Sequence, residues 1–382
     1  MDQNRIKRQK LAGKQRLVVK LGSRVLVDEK GHPDHESMER IVAGLAEQHQ
    51  AGKEIILVSS GAIAMGLEAL GKDRRPDHLP ELQMAAAVGQ SRLMHTYATY
   101  FEQHNVQIGQ VLLTHEDLND RERHLNARNT MRVMLNYRLI PVVNENDVVA
   151  VEEIQFGDND NLASMVAALV EADLLILLTS TNGLRDKLGT PDEERIPYLE
   201  NIDRDVLSIA GRKGSEWSSG GMYTKLQSAE RAVRAGTQVV IADGRETEII
   251  RRILEGEDLG TFIDSESADG GMRGRKRWIA FFRRARGSLT VDSGAARAIT
   301  ENGNSLLPVG IKEVDGRFSV GDLVNVKSED GEVVARGLTA YGSEDVDRIK
   351  GLQSTEISSI LGETHFEEVI HRDNMVIVKD RE

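Results

Sequence analysis

The chain has 382 residues, 49 Lys and Arg against 61 Asp and Glu, a formal net charge of −12 and no cysteine. At roughly 100–200 residues per domain this is a two- or three-domain protein; its 40% hydrophobic and 29% charged residues suit a globular chain and argue against disorder or a fibre. The missing cysteines exclude a disulfide scaffold, a Cys-ligated zinc site and a cysteine nucleophile, and the acidity weighs against general nucleic-acid binding.

No apolar run reaches the ~18 residues of a membrane span. The first residues lack an apolar stretch followed by a small-residue cleavage site, so the expectation is a cytoplasmic protein without a membrane partner. Arg16–Lys20 (RLVVK) reads as a strand followed by Gly22, 37–51 as a helix, and Glu54–Val58 (EIILV) as a strand running into Ser59-Ser60-Gly61. Then come a long helix over 82–101, a strand over 106–113, a helix over 126–137 and a strand over 139–143. A helix over 161–171, the strand 174–178 (LLILL), a helix over 223–235, the strand 238–242 (QVVIA) and a helix over 247–255 follow. Strands that are apolar on both faces, alternating with helices, predict an α/β, mainly parallel-sheet three-layer sandwich. Past Asp264 the texture changes. Residues 264–286 form a linker with a basic run from Arg273 to Arg286, after which short strands between glycine turns (288–291, 323–326, 332–337) predict a small β-rich domain ending near 367, with 368–382 as a tail.

In open α/β sheets ligands bind beyond the carboxyl ends of the strands, and four strand ends there are chemically unusual. Lys20 beside Gly22 and Ser23 is a place where an ammonium and close backbone meet phosphate, or an ordinary strand end with an exposed lysine. Ser59-Ser60-Gly61 opens a helix and reads either as an anion site or as a simple N-cap. Asn144-Glu145-Asn146-Asp147 and Phe156-Gly157-Asp158-Asn159-Asp160-Asn161 are dense enough in polar groups to recognise an amino acid or organise lysines, although Asn, Asp and Gly also dominate turns. Ser218-Ser219-Gly220-Gly221-Met222-Tyr223-Thr224-Lys225 has the make-up of a phosphate cradle or a flexible loop. Gly66–Lys72 matches Walker A spacing but continues into Asp73 and follows helical sequence, and is rejected; no GxGxxG is present. His115 and His124 read as surface or turn residues, not metal ligands.

Taken in order, VVKLGS (18–23), VSSGAI (58–63), NEND (144–147), FGDNDNL (156–162) and GGMYTK (220–225) resemble the amino acid kinase family, and within it the members that phosphorylate glutamate. SLLPVGI (305–311), with Arg336-Gly337 and 351–357, looks like the PUA domain that many of those members carry. The resemblance implies a kinase domain over 14–263, a PUA-like domain over 287–367, and ATP-dependent phosphorylation of the γ-carboxylate of L-glutamate, the first step of proline biosynthesis, feedback-inhibited by proline. By this resemblance Lys20 and Lys225 contact the transferring phosphate and Asp160 holds them; Ser60, Asp147 and Asn159 bind glutamate. Gly22, Ser23 and Gly61 contact phosphate, and Thr179, Ser180 and 219–225 (Ser219, Gly220, Gly221, Met222, Tyr223, Thr224, Lys225) line the ATP pocket, with Mg²⁺ carried mostly by the nucleotide. A homodimer or homotetramer is implied too. The chain departs from the family pattern at Thr179-Ser180, where Thr-Asp is usual, at Ser219 in place of Thr, at Asn161, where lysine is common, and over 184–196.

Two alternatives are weighed. A sibling kinase acting on aspartate, N-acetylglutamate or a nucleoside monophosphate shares the fold, and fold alone does not separate them. An RNA-binding role through the PUA-like domain is the other, with Trp278, Phe281 and Phe282 interleaved among the arginines of 273–286; the overall acidity favours a linker or subunit contact instead.

Overall fold

A computed structural model describes residues 3–28, 30–72, 74–150, 159–187, 189–211, 221–265, 285–362 and 367–378. Their contacts divide the chain into two compact units, Met1–Gly271 and Met272–Glu382.

The first unit is built on β1 (Arg16–Leu21), β2 (Glu54–Val58), β3 (Ile108–Leu113), β4 (Ile140–Glu145), β5 (Leu174–Thr179), the short pair β6 (Arg185–Asp186) and β7 (Glu194–Arg195), β8 (Tyr198–Leu199), β9 (Gln238–Asp243) and β10 (Thr261–Ile263). Eight strands form one sheet in the order β3-β4-β2-β1-β5-β9-β10-β8. Neighbours from β3 to β9 pair parallel; β10 runs antiparallel to β9 and parallel to β8. The central strands are apolar through their middles: Leu17, Val18, Val19, Ile55, Ile56, Leu57, Leu174, Leu175 and Ile176 are fully buried. A sheet apolar on both faces needs cover on both, and the α/β reading is borne out. Because β1, β2, β4 and β5 run parallel, the polar residues that end or follow them share one edge.

Two glycines set how closely that edge is covered. The helix Ala62–Ala69 lies against the helix Leu79–Glu102 at van der Waals distance of backbone from backbone. A Cβ on Gly66 would stand 1.8 Å from the Ala85 carbonyl oxygen, and one on Gly89 would stand 1.7 Å from that of Ala62. Gly66 therefore serves helix packing, and the rejection of the Walker-like spacing holds.

Several boundaries move. The helix Gln3–Gln9 belongs to the first unit: Arg8 is 1% exposed, and its guanidinium donates to the carbonyl oxygens of Pro197, Glu257, Leu259 and Gly260. At the other end, Asp264 is buried, accepts from Gln238 Nε2 at 2.8 Å and pairs with Lys7. The compact unit thus extends past 14–263 on both sides, through contacts with residues far away in sequence. The helix expected over 126–137 begins at Arg121, capped by Asp120.

The second unit contains β11 (Gly287–Val291), β12 (Ile311–Gly316), β13 (Leu323–Lys327), β14 (Val333–Leu338) and β15 (Met375–Ile377), in the order β12-β11-β13-β14-β15. Its own core includes Leu289, Val291, Ile299, Val324, Val326, Val346, Ile349, Val369 and Ile370. Met375–Ile377 pairs with β14, so 368–382 is not simply a tail. The basic residues Arg273–Arg284, with Trp278, Phe281 and Phe282, lie outside the described residues, as do Phe156–Asp158 and Ser218–Gly220.

Candidate active site

Lys20 is the fifth residue of β1, Asp160 stands in the first turn of the helix Asn159–Leu169, and Lys225 in the first turns of the helix Met222–Arg234. These three elements converge on one carboxylate. Lys20 Nζ lies 2.6 Å from Asp160 Oδ1, and Lys225 Nζ donates to Asp160 Oδ2 at 2.9 Å. The side chains of Lys20 and Asp160 are 4% and 2% exposed and that of Lys225 is 13% exposed. Burial pushes the Asp160 carboxyl up, but the charges of Lys20 and then Lys225, with their hydrogen bonds, outweigh it and hold the group below the ordinary carboxylate value. Burial lowers the Lys225 ammonium, Asp160 opposes that, and the charge of Lys20 adds to it. Two ammoniums thus converge on one buried carboxylate, which pre-sets them side by side.

Gly22 lies two residues past Lys20, and a Cβ there would lie 3.1 Å from the Leu178 carbonyl oxygen and 4.0 Å from Lys20 Nζ. The Gly22 N–H donates to Leu178 O at 2.9 Å. A side chain at position 22 would thus crowd both the β5 end and the Lys20 ammonium. Ser23 opens the short helix Ser23–Leu26. Gly61 holds φ 100°, a left-handed conformation open to glycine, and starts the helix Ala62–Ala69.

Beside the triad is a buried amide cluster. Asn159 Nδ2 donates to Ser59 O and Ser60 Oγ at 2.9 Å and to Asn144 Oδ1 at 3.0 Å. Asn144 Nδ2 donates in turn to Gln90 Oε1 at 2.8 Å. Ser59 Oγ donates to Ser60 O at 2.9 Å and contacts the Tyr97 hydroxyl at 2.7 Å. In this cluster Asn159 Oδ1 is buried with no hydrogen-bond partner, and so is Asp147 Oδ1, two residues past the end of β4. Burial pushes the Asp147 carboxyl up to about 6, opposed by the charge of Arg75. A buried acceptor left unmet is costly, and any hydrogen-bond donor relieves it.

On the other side, Thr179 ends β5, Ser180 follows, and Asp243 ends the neighbouring β9 in register with Thr179. Arg245 binds both Asp243 oxygens, at 2.9 Å and 2.7 Å, and donates to the Ser180 carbonyl oxygen at 2.8 Å. Gly221 caps the helix Met222–Arg234, with Thr224 Oγ1 bonded back to Gly221 O at 2.9 Å and Tyr223 exposed. Sequence reading did not single out Asp243, Arg245, Gln90 or Tyr97. Asp243 had a signal, as the polar last residue of an apolar strand; the others sit where only tertiary packing reveals them.

Among the described residues no group of three or more His, Asp or Glu side chains is arranged to hold a metal ion. Asp160 is committed to its lysines, which makes it a poor cation ligand. His124 is buried, not superficial as expected: it bonds the Leu118 carbonyl oxygen, and burial pushes its pKa down to about 4. Asn161 contacts His115 Nε2 at 3.2 Å and accepts from Arg231. No helix among the described residues is long and apolar enough to cross a membrane.

Compared with known protein families, residues 15–243 match the amino acid kinase family. The chain belongs to the amino acid kinase family. Residues 287–361 match the PUA domain. Glutamate 5-kinase of Moorella thermoacetica is 44% identical over 371 residues, 96% of this chain and 97% of that protein. Glutamate 5-kinase of Carboxydothermus hydrogenoformans is 46% identical over 374 residues, 97% of this chain and 100% of that protein. Among solved structures, carbamate kinase from Giardia lamblia bound to AMP-PNP aligns with a TM-score of 0.50 at 15% identity, covering 67% of this chain and 100% of that one; that likeness bears on fold alone. The triad lies at the sheet's carboxyl edge, beyond which open α/β sheets bind their ligands.

Proposed function

We propose that this amino acid kinase transfers the γ-phosphoryl group of MgATP to the γ-carboxylate of L-glutamate, forming γ-glutamyl phosphate and ADP as the first step of proline biosynthesis. The observation that carries the reading is the Lys20–Asp160–Lys225 triad beside two unpartnered buried acceptors, Asn159 Oδ1 and Asp147 Oδ1.

A carboxylate with a pKa near ~4.3 is ionised at neutral pH, so no general base is required. The γ-carboxylate oxygen attacks the γ-phosphorus in line, the bond to the β,γ-bridging oxygen breaks, and the electron pair leaves with ADP; no proton moves. The obstacle is repulsion between an anionic nucleophile and an anionic phosphate. Lys20 and Lys225 meet it by neutralising charge on the phosphoryl oxygens, pre-set by Asp160 so that little reorganisation is needed. Asn159 Oδ1 and Asp147 receive the α-ammonium, and Ser60 closes the same pocket. Thr179, Ser180, Gly221, Met222, Tyr223, Thr224 and Lys225 line the nucleotide side; Ser219 and Gly220, proposed for the same side, lie outside the described residues. Mg²⁺ enters bound to the ATP phosphates, in keeping with its preference for phosphate and water.

Hydroxylamine trapping tests the reading with L-glutamate, L-aspartate, N-acetyl-L-glutamate and UMP side by side. Hydroxamate from glutamate is expected; none from glutamate by folded protein overturns it. Two further proposals stand beside it, both supported by the extent of similarity to glutamate 5-kinases. Proline lowers activity at subsaturating glutamate, and the enzyme works in the cytoplasm as a homodimer or homotetramer. Unchanged activity with proline, or a monomer on sedimentation, removes the corresponding one.

A further inference from the structure

The amide cluster leaves a donor unfilled as well as an acceptor. A main-chain carbonyl only accepts, so Ser59 O requires Asn159 to present its Nδ2 and turn Oδ1 away. That Nδ2 then fixes Asn144 with Oδ1 towards Asn159 and Nδ2 towards Gln90. Gln90 must answer with Oε1, which leaves Gln90 Nε2 buried with no hydrogen-bond partner. One main-chain carbonyl thus sets the orientation of three amides in series. Leaving a buried donor unmet costs about 1–3 kcal/mol. Gln90 is also held in place: Gly89, next to it, is pressed against the Ala62 carbonyl at the start of the helix that Gly61 opens.

An amino acid presents an ammonium and a carboxylate on one carbon. The acceptors Asn159 Oδ1 and Asp147 Oδ1 answer the ammonium; the carboxylate needs an N–H. Arg75, whose charge acts on Asp147, is exposed. We infer that Gln90 donates its Nε2–H to the α-carboxylate of the substrate and is a specificity-determining residue, held by Asn144. The inference rests on the glutamate reading above.

The test uses the full chain and two substrate fragments as competitive inhibitors of hydroxamate formation. Glutarate keeps the α-end carboxylate and lacks the ammonium; 4-aminobutyrate keeps the ammonium and lacks that carboxylate. Gln90→Glu retains the acceptor that Asn144 needs and loses the donor, and Gln90→Met loses both. In either variant the KM for glutamate and the Ki for glutarate rise about tenfold or more, the worth of one hydrogen bond to a charged group, while the Ki for 4-aminobutyrate does not rise. Equal losses for both fragments make Gln90 merely structural and overturn the assignment, as does an unchanged glutarate Ki. Should Gln90→Met fail to fold, Gln90→Glu decides alone. If the wild type makes hydroxamate, only this assignment is at stake; if it makes none from glutamate, the functional reading falls and this one with it.

Discussion

Lys20 and Asp160 stand 2.6 Å apart with both side chains buried, and the second oxygen of the same carboxylate holds Lys225. One carboxylate held between two ammoniums fixes both of them in place, the pre-setting that the proposed phosphoryl transfer calls for. Asp160→Asn removes the shared anion and leaves two buried cations repelling each other. Breaking one partner of a buried pair costs about 3–5 kcal/mol, so a lower melting temperature is expected together with a kcat reduced about 100-fold or more. Lys20→Ala should cut kcat far more than it raises the KM for glutamate; the reverse pattern in steady-state kinetics reassigns Lys20 to substrate binding.

With Asp147 in its proposed role, its carboxyl, pushed up to about 6 by burial, gives glutamate recognition a pH edge. Its folded pKa lies above the ordinary value, so its ionised form works against folding: the group favours the folded state below the usual carboxylate range, and that contribution is lost as pH rises through about 6. A bound ammonium offsets the cost of that ionised form. The KM for glutamate should therefore climb as pH falls from 7 to 5, with proton release on binding near pH 5–6. Asp147→Asn should raise KM and flatten that profile; an unaltered profile assigns the titration elsewhere.

How much of this was legible depended on whether the signal was local. Lys20, Ser60, Asn159 and Asp160 each follow or end an apolar strand or open a helix, so their chemistry shows in a few residues of sequence. Gln90 lies inside a long amphipathic helix and looks like any half-exposed glutamine; only its approach to Asn144 gives it meaning. Arg8 was invisible for the same reason, since its partners lie about 190 to 250 residues away. β15 and β10 are three residues long, too short for a period of two to register.

Gly89 and Gly66 make a prediction about packing that reaches the site. A Cβ on Gly89 would stand 1.7 Å from Ala62 O, so Gly89→Ala forces the helix Leu79–Glu102 away from the helix Ala62–Ala69. Overpacking of this kind costs about 1–3 kcal/mol. Since Gln90 and Tyr97 reach the amide cluster and the Ser59–Ser60 turn from that helix, the KM for glutamate should rise along with the fall in thermal stability, whereas the KM for ATP should hold. A variant that loses stability alone separates helix packing from substrate recognition.

Arg8 provides the last prediction, on the N-terminal helix. Its guanidinium answers carbonyl oxygens from Pro197 and from residues 257–260 and lies over the Phe262 ring, 5.8 Å from the centroid. Burial pushes its pKa down to about 10, opposed by Asp258, so the guanidinium stays charged at neutral pH. Arg8→Ala leaves four carbonyls facing a cavity, and Arg8→Lys restores charge without the planar fork. Each should destabilise the first unit, Arg8→Ala by about 3 kcal/mol or more given unmet buried acceptors at about 1–3 kcal/mol each. Calorimetry of the full chain reads it: the transition of the kinase unit should fall and that of the PUA unit should stay. With the triad on other elements than those Arg8 ties together, kcat at low temperature should be retained; a kcat loss that exceeds the unfolded fraction would mean that the N-terminal helix also shapes the nucleotide side through β8 and β10.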